Sequence, residues 1–394
     1  MIRFLRSAFM ALSFALIFIS CNQDPSSVGS NLIAEQDKFS FQEFDSQQLE
    51  VKQSSAYYSY KPKLGISEYV LVGKTPYAES SLMLRYVFTL PDSTLTRFSN
   101  GEITVKDAWI EMVPRYSYGD KNAPFDFTVH QVRSSWTAPG FDRDSIPNLV
   151  YDSRNVKTNI AITDTTLRFH LNPDVVKEWI RAKYNTSEPK NNGLLLKATS
   201  NTQKMLGFLA VQAGSSYYDT FINFVLERPS YYVDTLKVPP DEDIHFITSS
   251  LPPAGNNFFL QGGYSLRSNI YFDLSAIPKN SIINKAIMEL TVDPAYDDDG
   301  SFKSDSLFVQ VLSDSTTKAL ADSGAYAIFS RSNNIFSGDI TWAAQRWVTG
   351  SDNQGLIMSF YDEYYSAARI GFFGSKNSNK GLRPKLKIIY MQKK

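Results

Sequence analysis

The sequence has very little cysteine and histidine, and it has no excess of either charge. Cys21 is the only cysteine, so the chain cannot form an internal disulfide bond. The three histidines, His130, His170 and His245, lie far apart and show no metal-ligand spacing such as HExxH. Basic and acidic residues number 40 each, which gives no electrostatic reason to expect nucleic acid as a partner. The sequence therefore predicts no catalytic metal site, no cofactor and no binding of DNA or RNA.

Familiar catalytic motifs are also missing from the sequence. It contains no nucleophile elbow, phosphate-binding loop or dinucleotide fingerprint. Carboxylates are plentiful, but the separation that matters for glycoside hydrolysis is spatial, and no pair stands out along the chain. We therefore expect a protein that is not an enzyme, and keep a polysaccharide-degrading enzyme as a lesser alternative.

The first 36 residues have the pattern of an exported, anchored protein. Residues 1–20 combine Arg3 and Arg6 with an apolar run that is too short to span a bilayer as a helix, as in a signal peptide. Cys21 follows a small residue at the end of this run, which resembles a bacterial lipobox, although Phe18 replaces the usual leucine. The resemblance implies acylation of Cys21 and attachment to a membrane. Residues 21–36 are polar and predict a flexible tether. The alternative is an ordinary signal peptide followed by an incidental cysteine.

The rest of the chain has the composition of a β protein. Phenylalanine and tyrosine number 27 and 22, and many short segments alternate polar and apolar residues, for example Ile103 to Met112 and Phe125 to Val132. Turn residues separate these segments. The pattern predicts an all-β fold of antiparallel sandwiches in which one face of each sheet is solvated.

An internal repeat divides the mature chain into two units. A short helix containing Trp179 leads into a strand after Gly193, and a second helix containing Trp347 leads into a strand after Gly355. The apolar residues of each helix fall on one face, so we expect both tryptophans to be core residues rather than ligand platforms. The sequence therefore predicts tandem β-sandwiches at residues 37–228 and 229–394, each with one short tryptophan-bearing helix.

The order of these elements resembles a known module. Segments Asn269 to Leu274, Ala286 to Leu290, Gln345 to Val348, Gln354 to Ile357 and Arg383 to Tyr390 are similar to the DNRLRE module. That resemblance implies jelly-roll β-sandwiches, and it implies a relation to carbohydrate-binding modules, which the family includes. The segment that begins at Cys21 also resembles a lipoprotein family of Bacteroidota, which implies an outer-membrane location.

Two groups of residues are candidates for binding. The tyrosine clusters offer planar rings with polar tips that can stack on sugars, although strand propensity explains tyrosines equally well. The clusters comprise Tyr57, Tyr58 and Tyr60; Tyr217 and Tyr218; Tyr231 and Tyr232; and Tyr361, Tyr364 and Tyr365. We select Tyr57, Tyr58, Tyr361, Tyr364 and Tyr365 as candidate ligand-binding residues. The run Asp297 to Asp299 is either a calcium loop or a solvated hairpin turn.

These observations predict a noncatalytic cell-envelope lipoprotein. The expected ligand is a polysaccharide, on the strength of the resemblance alone. The alternative is a structural or assembly protein that docks onto an outer-membrane partner through exposed strand edges or an apolar patch. The sequence identifies neither the ligand nor the side of the outer membrane.

Overall fold

The computed structural model describes residues 39–60, 64–163, 165–211, 218–253, 255–298, 300, 304–322, 324–364 and 366–393. The predicted signal peptide (1–20) and the whole of the predicted tether (21–36), including Cys21, lie outside these ranges. Within them the chain is mostly β, and every strand pairing is antiparallel. The all-β, antiparallel prediction is confirmed.

The first part of the chain builds two sheets that pack face to face. The seven-stranded sheet comprises β3 (Tyr69–Lys74), β4 (Ala78–Arg85), β6 (Pro114–Tyr118), β7 (Phe127–Gln131), β10 (Leu194–Ala198), β11 (Met205–Leu209) and β14 (Glu242–Ser249). The five-stranded sheet comprises β5 (Thr104–Met112), β8 (Lys157–Ile162), β9 (Leu167–Leu171), β12 (Thr220–Arg228) and β13 (Tyr232–Val238). Inward-facing residues of both sheets form one apolar core, as expected of a sandwich.

The remaining strands form a single twelve-stranded sheet. They are β1 (Phe39–Asp45), β2 (Gln53–Ser59), β15 (Asn257–Gln261), β16 (Leu266–Phe272), β17 (Ile282–Asp298), β18 (Ser306–Asp314), β19 (Ala319–Leu320), β20 (Tyr326–Ser332), β21 (Ile335–Asp339), β22 (Leu356–Phe360), β23 (Arg369–Phe373) and β24 (Lys385–Lys393). The order β17-β21-β20-β18-β22-β16-β15-β23 returns to β17, because β23 also pairs with β17. Eight strands therefore make a closed ring, which the prediction of an open sandwich did not anticipate.

The two units nevertheless share one plan of pairing. β10 pairs with β4 and β7, as β22 pairs with β16 and β18. β5 pairs with β12 and β9, as β17 pairs with β24 and β21. Two differences separate them. β18 pairs with β20, whereas the described residues show no ladder between their counterparts β7 and β8. β17 is also one strand, where the first unit has the separate strands β5 and β6. The first unit therefore stays open as two sheets, and the second closes.

The first two strands of each unit are exchanged with the other unit. β1 and β2 come before the first unit in the chain, yet they pair with β24 and β16 of the second. β13 and β14 come before the second unit, yet they pair with β12 and β4 of the first. The predicted bounds, 37–228 and 229–394, follow the order of the chain, while the hydrogen bonds cross those bounds in both directions.

The described residues also hold three short α-helices, α1 (Asp92–Ser99), α2 (Asp174–Arg181) and α3 (Thr341–Val348). Four 3-10 helices lie at Leu64–Ile66, Ala138–Gly140, Arg143–Asn148 and Lys380–Leu382. At the start of α2, Asn172 Oδ1 accepts a hydrogen bond from Asp174 N at 2.9 Å. Trp179 of α2 is buried in the core between the two sheets. Trp347 of α3 is only partly buried and packs against the core of the closed ring. The two tryptophans therefore occupy corresponding positions with different degrees of burial.

Gly193 and Gly355 occupy matching positions before β10 and β22. Their φ angles are +87° and +86°, which favour glycine. Each N–H donates to the side-chain oxygen of an asparagine two residues earlier, Asn191 or Asn353, at 3.0 Å. A Cβ on Gly355 would lie 2.5 Å from the carbonyl oxygen of Ile270, so no larger residue fits without a shift. The repeat is thus preserved down to individual hydrogen bonds.

Candidate functional site: the Arg267 cluster

Two tyrosine-rich segments that are far apart in the sequence meet beside Arg267. Tyr58 on the exchanged strand β2 is the register partner of Arg267 on β16. Glu363 and Tyr364 lie in the turn after β22, which is held by a 2.7 Å hydrogen bond from Gly263 N to the Glu363 carbonyl oxygen. We call Tyr58, Tyr60, Arg267, Glu363 and Tyr364 the Arg267 cluster. It exists only because β2 pairs with the sheet of the second unit.

A two-pronged ion pair forms the centre of the cluster. Arg267 Nε and Nη2 donate to Glu363 Oε1 and Oε2 at 2.9 and 2.7 Å. The side chains are 19% and 5% exposed, so the pair is largely shielded from water. The Tyr60 ring centroid lies 3.7 Å from Arg267 Cζ, which is cation–π contact. Both Glu363 oxygens are thus committed to Arg267, and the guanidinium presents its face to an aromatic ring.

Burial holds the hydroxyls of Tyr58 and Tyr364 in their neutral form. Burial raises the pKa of Tyr58 to about 12, against the opposing effect of the Arg267 charge. Burial also raises the pKa of Tyr364. Burial alone would lower the pKa of Arg267, but its hydrogen bond to Glu363 and the nearby charge raise it above the ordinary value. At neutral pH the cluster therefore offers hydroxyl donors around a permanent ion pair.

A long segment of the first unit reaches the same edge of the sheet. Arg143, at the start of the 3-10 helix Arg143–Asn148, donates to Ser59 Oγ at 3.2 Å and to the Tyr264 carbonyl oxygen at 3.1 Å. Its Cζ lies 4.0 Å from the centroid of the Tyr264 ring. Lys318 Nζ lies 5.3 Å from the Tyr58 ring centroid on another side. Aromatic rings and cations therefore continue beyond the cluster in two directions.

The other candidate tyrosines are distributed differently. Tyr57 points to the opposite face of β2, where its ring packs edge-on against Phe259 at 5.4 Å, because side chains alternate along a strand. Tyr361 is 66% exposed in the turn that leads to Glu363. Tyr231 is 72% exposed just before β13, outside the cluster. Tyr217 and Tyr365 lie outside the described residues.

The acidic run Asp297 to Asp299 is only partly described, since Asp299 lies outside the described residues. Asp297 and Asp298 belong to the end of β17 rather than to a hairpin turn. Asp297 Oδ2 accepts from Arg331 Nη2 at 2.5 Å, and Asp298 Oδ2 accepts from the Tyr77 hydroxyl. Among the described residues, no group of three or more histidine, cysteine, aspartate or glutamate side chains is placed to hold a metal ion.

A second concave feature lies on the first unit. A groove of about 560 Å³ opens between β6 and the end of β8, with Arg115, Lys121 and Lys204 at its rim and Phe125 and Leu206 in its wall. Arg115 already pairs with Asp219 at 2.6 Å, and Lys204 Nζ donates to the Lys121 carbonyl oxygen at 2.7 Å. Two of its three cations are therefore engaged within the protein, which makes the groove a weaker candidate than the Arg267 cluster.

Sequence reasoning selected Tyr58 and Tyr364 but missed Arg267, Glu363 and Arg143. The last three have no motif spacing, and Arg267 and Glu363 meet only through the strand pairing. The one signal available was for Glu363, which lies between the selected Tyr361 and Tyr364 in the sequence. The pairings of β16 with β2 and with β22 were the information that the sequence did not supply.

No protein-family model matches this chain, and no curated protein matches it. Among the described residues, no helix is both long and apolar enough to cross a membrane.

Proposed function

We propose that this chain is a noncatalytic lipoprotein of the cell envelope that binds polysaccharide through the Arg267 cluster. Acylated Cys21 anchors the chain to the outer membrane, and the two units are tandem, jelly-roll-like domains that exchange their first two strands. The convergence of Tyr58, Tyr60 and Tyr364 on one ion pair carries the proposal. The resemblance to carbohydrate-binding modules supports the same ligand class.

The chemistry of the cluster suits a sugar. Planar rings bind the C–H faces of pyranoses, while the neutral hydroxyls of Tyr58 and Tyr364 bind sugar hydroxyls. The ion pair positions these groups before the ligand arrives, so little ordering cost falls on binding. Because both Glu363 oxygens are held by Arg267, the carboxylate orients the arginine instead of serving as a free acid or base.

A glycan array with the intact chain tests the proposal. Tyr58→Ala and Tyr364→Ala should each abolish the signal of the best-bound glycan. Tyr231→Ala is the matched control, because Arg228 Cζ also lies 4.0 Å from the Tyr231 ring, far from the cluster in the sheet order. An array on which the Tyr58 and Tyr364 variants behave like the intact chain would rule out this site.

Incubation of the bound glycan separates binding from cleavage. A binding protein leaves the chain-length distribution of the polysaccharide unchanged, and a degrading enzyme produces shorter chains. Mass spectrometry of the glycan before and after incubation gives the answer.

The runner-up is docking onto another envelope protein. The observation that favours it is the exposed outer edge of β1, where Phe39 and Phe41 are 53% and 69% exposed. A crosslinking pull-down from intact cells should then recover a single protein partner, and substitution of Phe41 should abolish its recovery.

A further inference from the structure

The outer faces of β1, β24 and β17 form one apolar surface. The cross-strand register places Phe41 beside Met391 and Met391 beside Ile282. The next row holds Glu43, Ile389 and Lys285. Ile282 and Ile389 are 47% and 37% exposed, in addition to the exposed phenylalanines of β1. We call Phe39, Phe41, Ile282, Ile389 and Met391 the Phe41 face.

Core packing does not account for the Phe41 face. The opposite side of the same strands already supplies the core, through buried residues such as Phe44, Ile283 and Ile388. At the end of the strands that holds Phe41, Met391 and Ile282, both sides of the sheet therefore carry apolar residues. An antiparallel sheet with one solvated face normally alternates with polar residues instead. Contiguous exposed apolar residues of this kind mark an interaction surface.

The counterpart strand in the other unit shows that the fold does not require such a face. β13 occupies the position of β1 at the edge of the five-stranded sheet. Its outward residues are Val233, Thr235 and Lys237, and Val233 lies beside Glu227 of β12. β13 itself is polar on its outer face apart from Val233, and Val225 of β12 lies beside Thr235. The exposed phenylalanines on the edge strand are thus found in one unit alone.

Cations border the Phe41 face on its polar side. Lys285 is exposed in the row next to Ile282. Lys387 is also exposed and pairs with Glu43 at 2.7 Å. Apolar residues bordered by lysines are the composition that binds the interface of a bilayer with anionic headgroups.

The position of the face in the chain points to the same partner. Phe39 begins β1 about 18 residues after Cys21, and a chain of that length spans at most about 60 Å when extended. An anchor at Cys21 would therefore keep the face close to the membrane at all times. Its local concentration there would make even weak contacts effective.

We propose that the Phe41 face lies against the lipid bilayer to which the chain is anchored. This inference rests on the proposed anchor, and it adds an orientation. The chain sits on its β1-β24-β17 edge, with phenylalanine and isoleucine side chains in the headgroup region and lysines beside lipid phosphates.

Hydroxyl-radical footprinting tests the orientation on the intact mature chain. The acylated protein in phosphatidylethanolamine–phosphatidylglycerol vesicles is compared with the unacylated Cys21→Ser protein in solution. Oxidation of Phe41 and Met391 should fall at least about threefold on the vesicles, because a side chain in the headgroup region is removed from bulk water. Tyr231 and Val233 should be oxidised equally in both samples. Equal oxidation of Phe41 in both samples would overturn the proposal.

Two further arms separate the face from the anchor. The intact mass of the mature N-terminus reports acylation directly. A mature chain held by an N-terminal hexahistidine tag on nickel-chelating lipid then tests the face without any acyl group.

Phe41→Asp should abolish the protection of Met391 on tag-anchored vesicles, and Val233→Asp is the matched control that should retain it. Protection that appears only when a second envelope protein is added would show a protein partner and would contradict the bilayer proposal.

Discussion

Two ionisable side chains on β14 provide a test of the packing at the edge of the seven-stranded sheet. Asp243 and His245 pair in register with Leu84 and Leu82 of β4, so they share the side of the sheet that faces the core. They are 6% and 0% exposed. Asp243 Oδ2 accepts one hydrogen bond, from Val211 N at 2.8 Å. Neither ring nitrogen of His245 has a hydrogen-bond partner among the described residues.

Burial shifts the two groups in opposite directions. It raises the pKa of Asp243 from 3.8 to about 7, and it lowers the pKa of His245 from 6.5 to about 3. Between about pH 4 and pH 7 the folded chain therefore keeps a proton on Asp243 that the unfolded chain has lost. The contribution of Asp243 to the stability of the fold is full below pH 4 and disappears as the pH rises to 7. His245 behaves in the reverse sense, since its stabilisation is full above pH 6.5 and is lost as the pH falls toward 3.

The two contributions nearly cancel in the wild-type protein. When the pH is lowered from 7 to 5, the Asp243 contribution to the free energy of unfolding rises by about 2 kcal/mol, and the His245 contribution falls by about 2 kcal/mol. Asp243→Asn should remove the Asp243 contribution. The free energy of unfolding of this variant should therefore fall by about 2 kcal/mol relative to wild type when the pH is lowered from 7 to 5. His245→Leu should gain about 2 kcal/mol relative to wild type over the same interval. The double variant should return to the wild-type pH dependence.

Urea unfolding at the two pH values, followed by tryptophan fluorescence, measures these differences. His170→Gln is the control, because His170 lies in the five-stranded sheet with a side chain that is 36% exposed. The reasoning would be refuted if the free energy of unfolding, relative to wild type, changed with pH in the same direction in Asp243→Asn and His245→Leu. So would a wild-type-like pH dependence in both single variants.

Three other predictions follow from the packing. Gly355→Ala should lower the free energy of unfolding by about 2–4 kcal/mol, because of its positive φ and the nearby Ile270 carbonyl oxygen. Gly101→Ala, where φ is +77° and the space around the residue is open, should lower it by about 1 kcal/mol in the same urea titration. Glu363→Gln should destabilise by about 3–5 kcal/mol, because it leaves the shielded charge of Arg267 unpaired, and Lys106→Gln in an exposed pair should change little on thermal unfolding. Deleting residues 39–59 removes β1 and β2, which pair with the second unit. The amide hydrogens of β16 should then exchange faster with solvent, while those of β4 should exchange at the same rate. Faster hydrogen exchange in β4 alone would contradict the pairing of β2 with the second unit.

Local chemistry made part of this structure predictable. Alternation of apolar residues predicts β5 and β7, and Asn172 marks the start of α2. The matching Asn-x-Gly segments predict the repeat at Gly193 and Gly355, because a positive φ beside a neighbouring carbonyl permits only glycine. Each of these signals lies within a few residues of the feature that it predicts.

Long-range pairing was beyond the sequence. β2 has an alternation that fits either β16 or β4, because the repeat makes the two edges alike, so nothing local reveals the exchange. Closure of the ring depends on β17, which runs unbroken to Asp298. At the corresponding place in the first unit, Val113 separates β5 from β6, and the next residue, Pro114, lacks an N–H. The position of Tyr58 beside Arg267 follows from the same unpredicted pairing. The ion pair of Arg267 and Glu363 depends instead on the pairing of β16 with β22, which the sequence did not reveal either.

The proposed function depends on the claim that the Arg267 cluster is a saccharide site. The most direct test is calorimetric titration of the best-bound glycan into wild type, Tyr60→Ala and Tyr231→Ala. Loss of one stacking ring should weaken binding at least about tenfold in Tyr60→Ala, equivalent to about 1.4 kcal/mol, and leave Tyr231→Ala within about twofold of wild type. Equal dissociation constants for wild type and Tyr60→Ala would contradict the account.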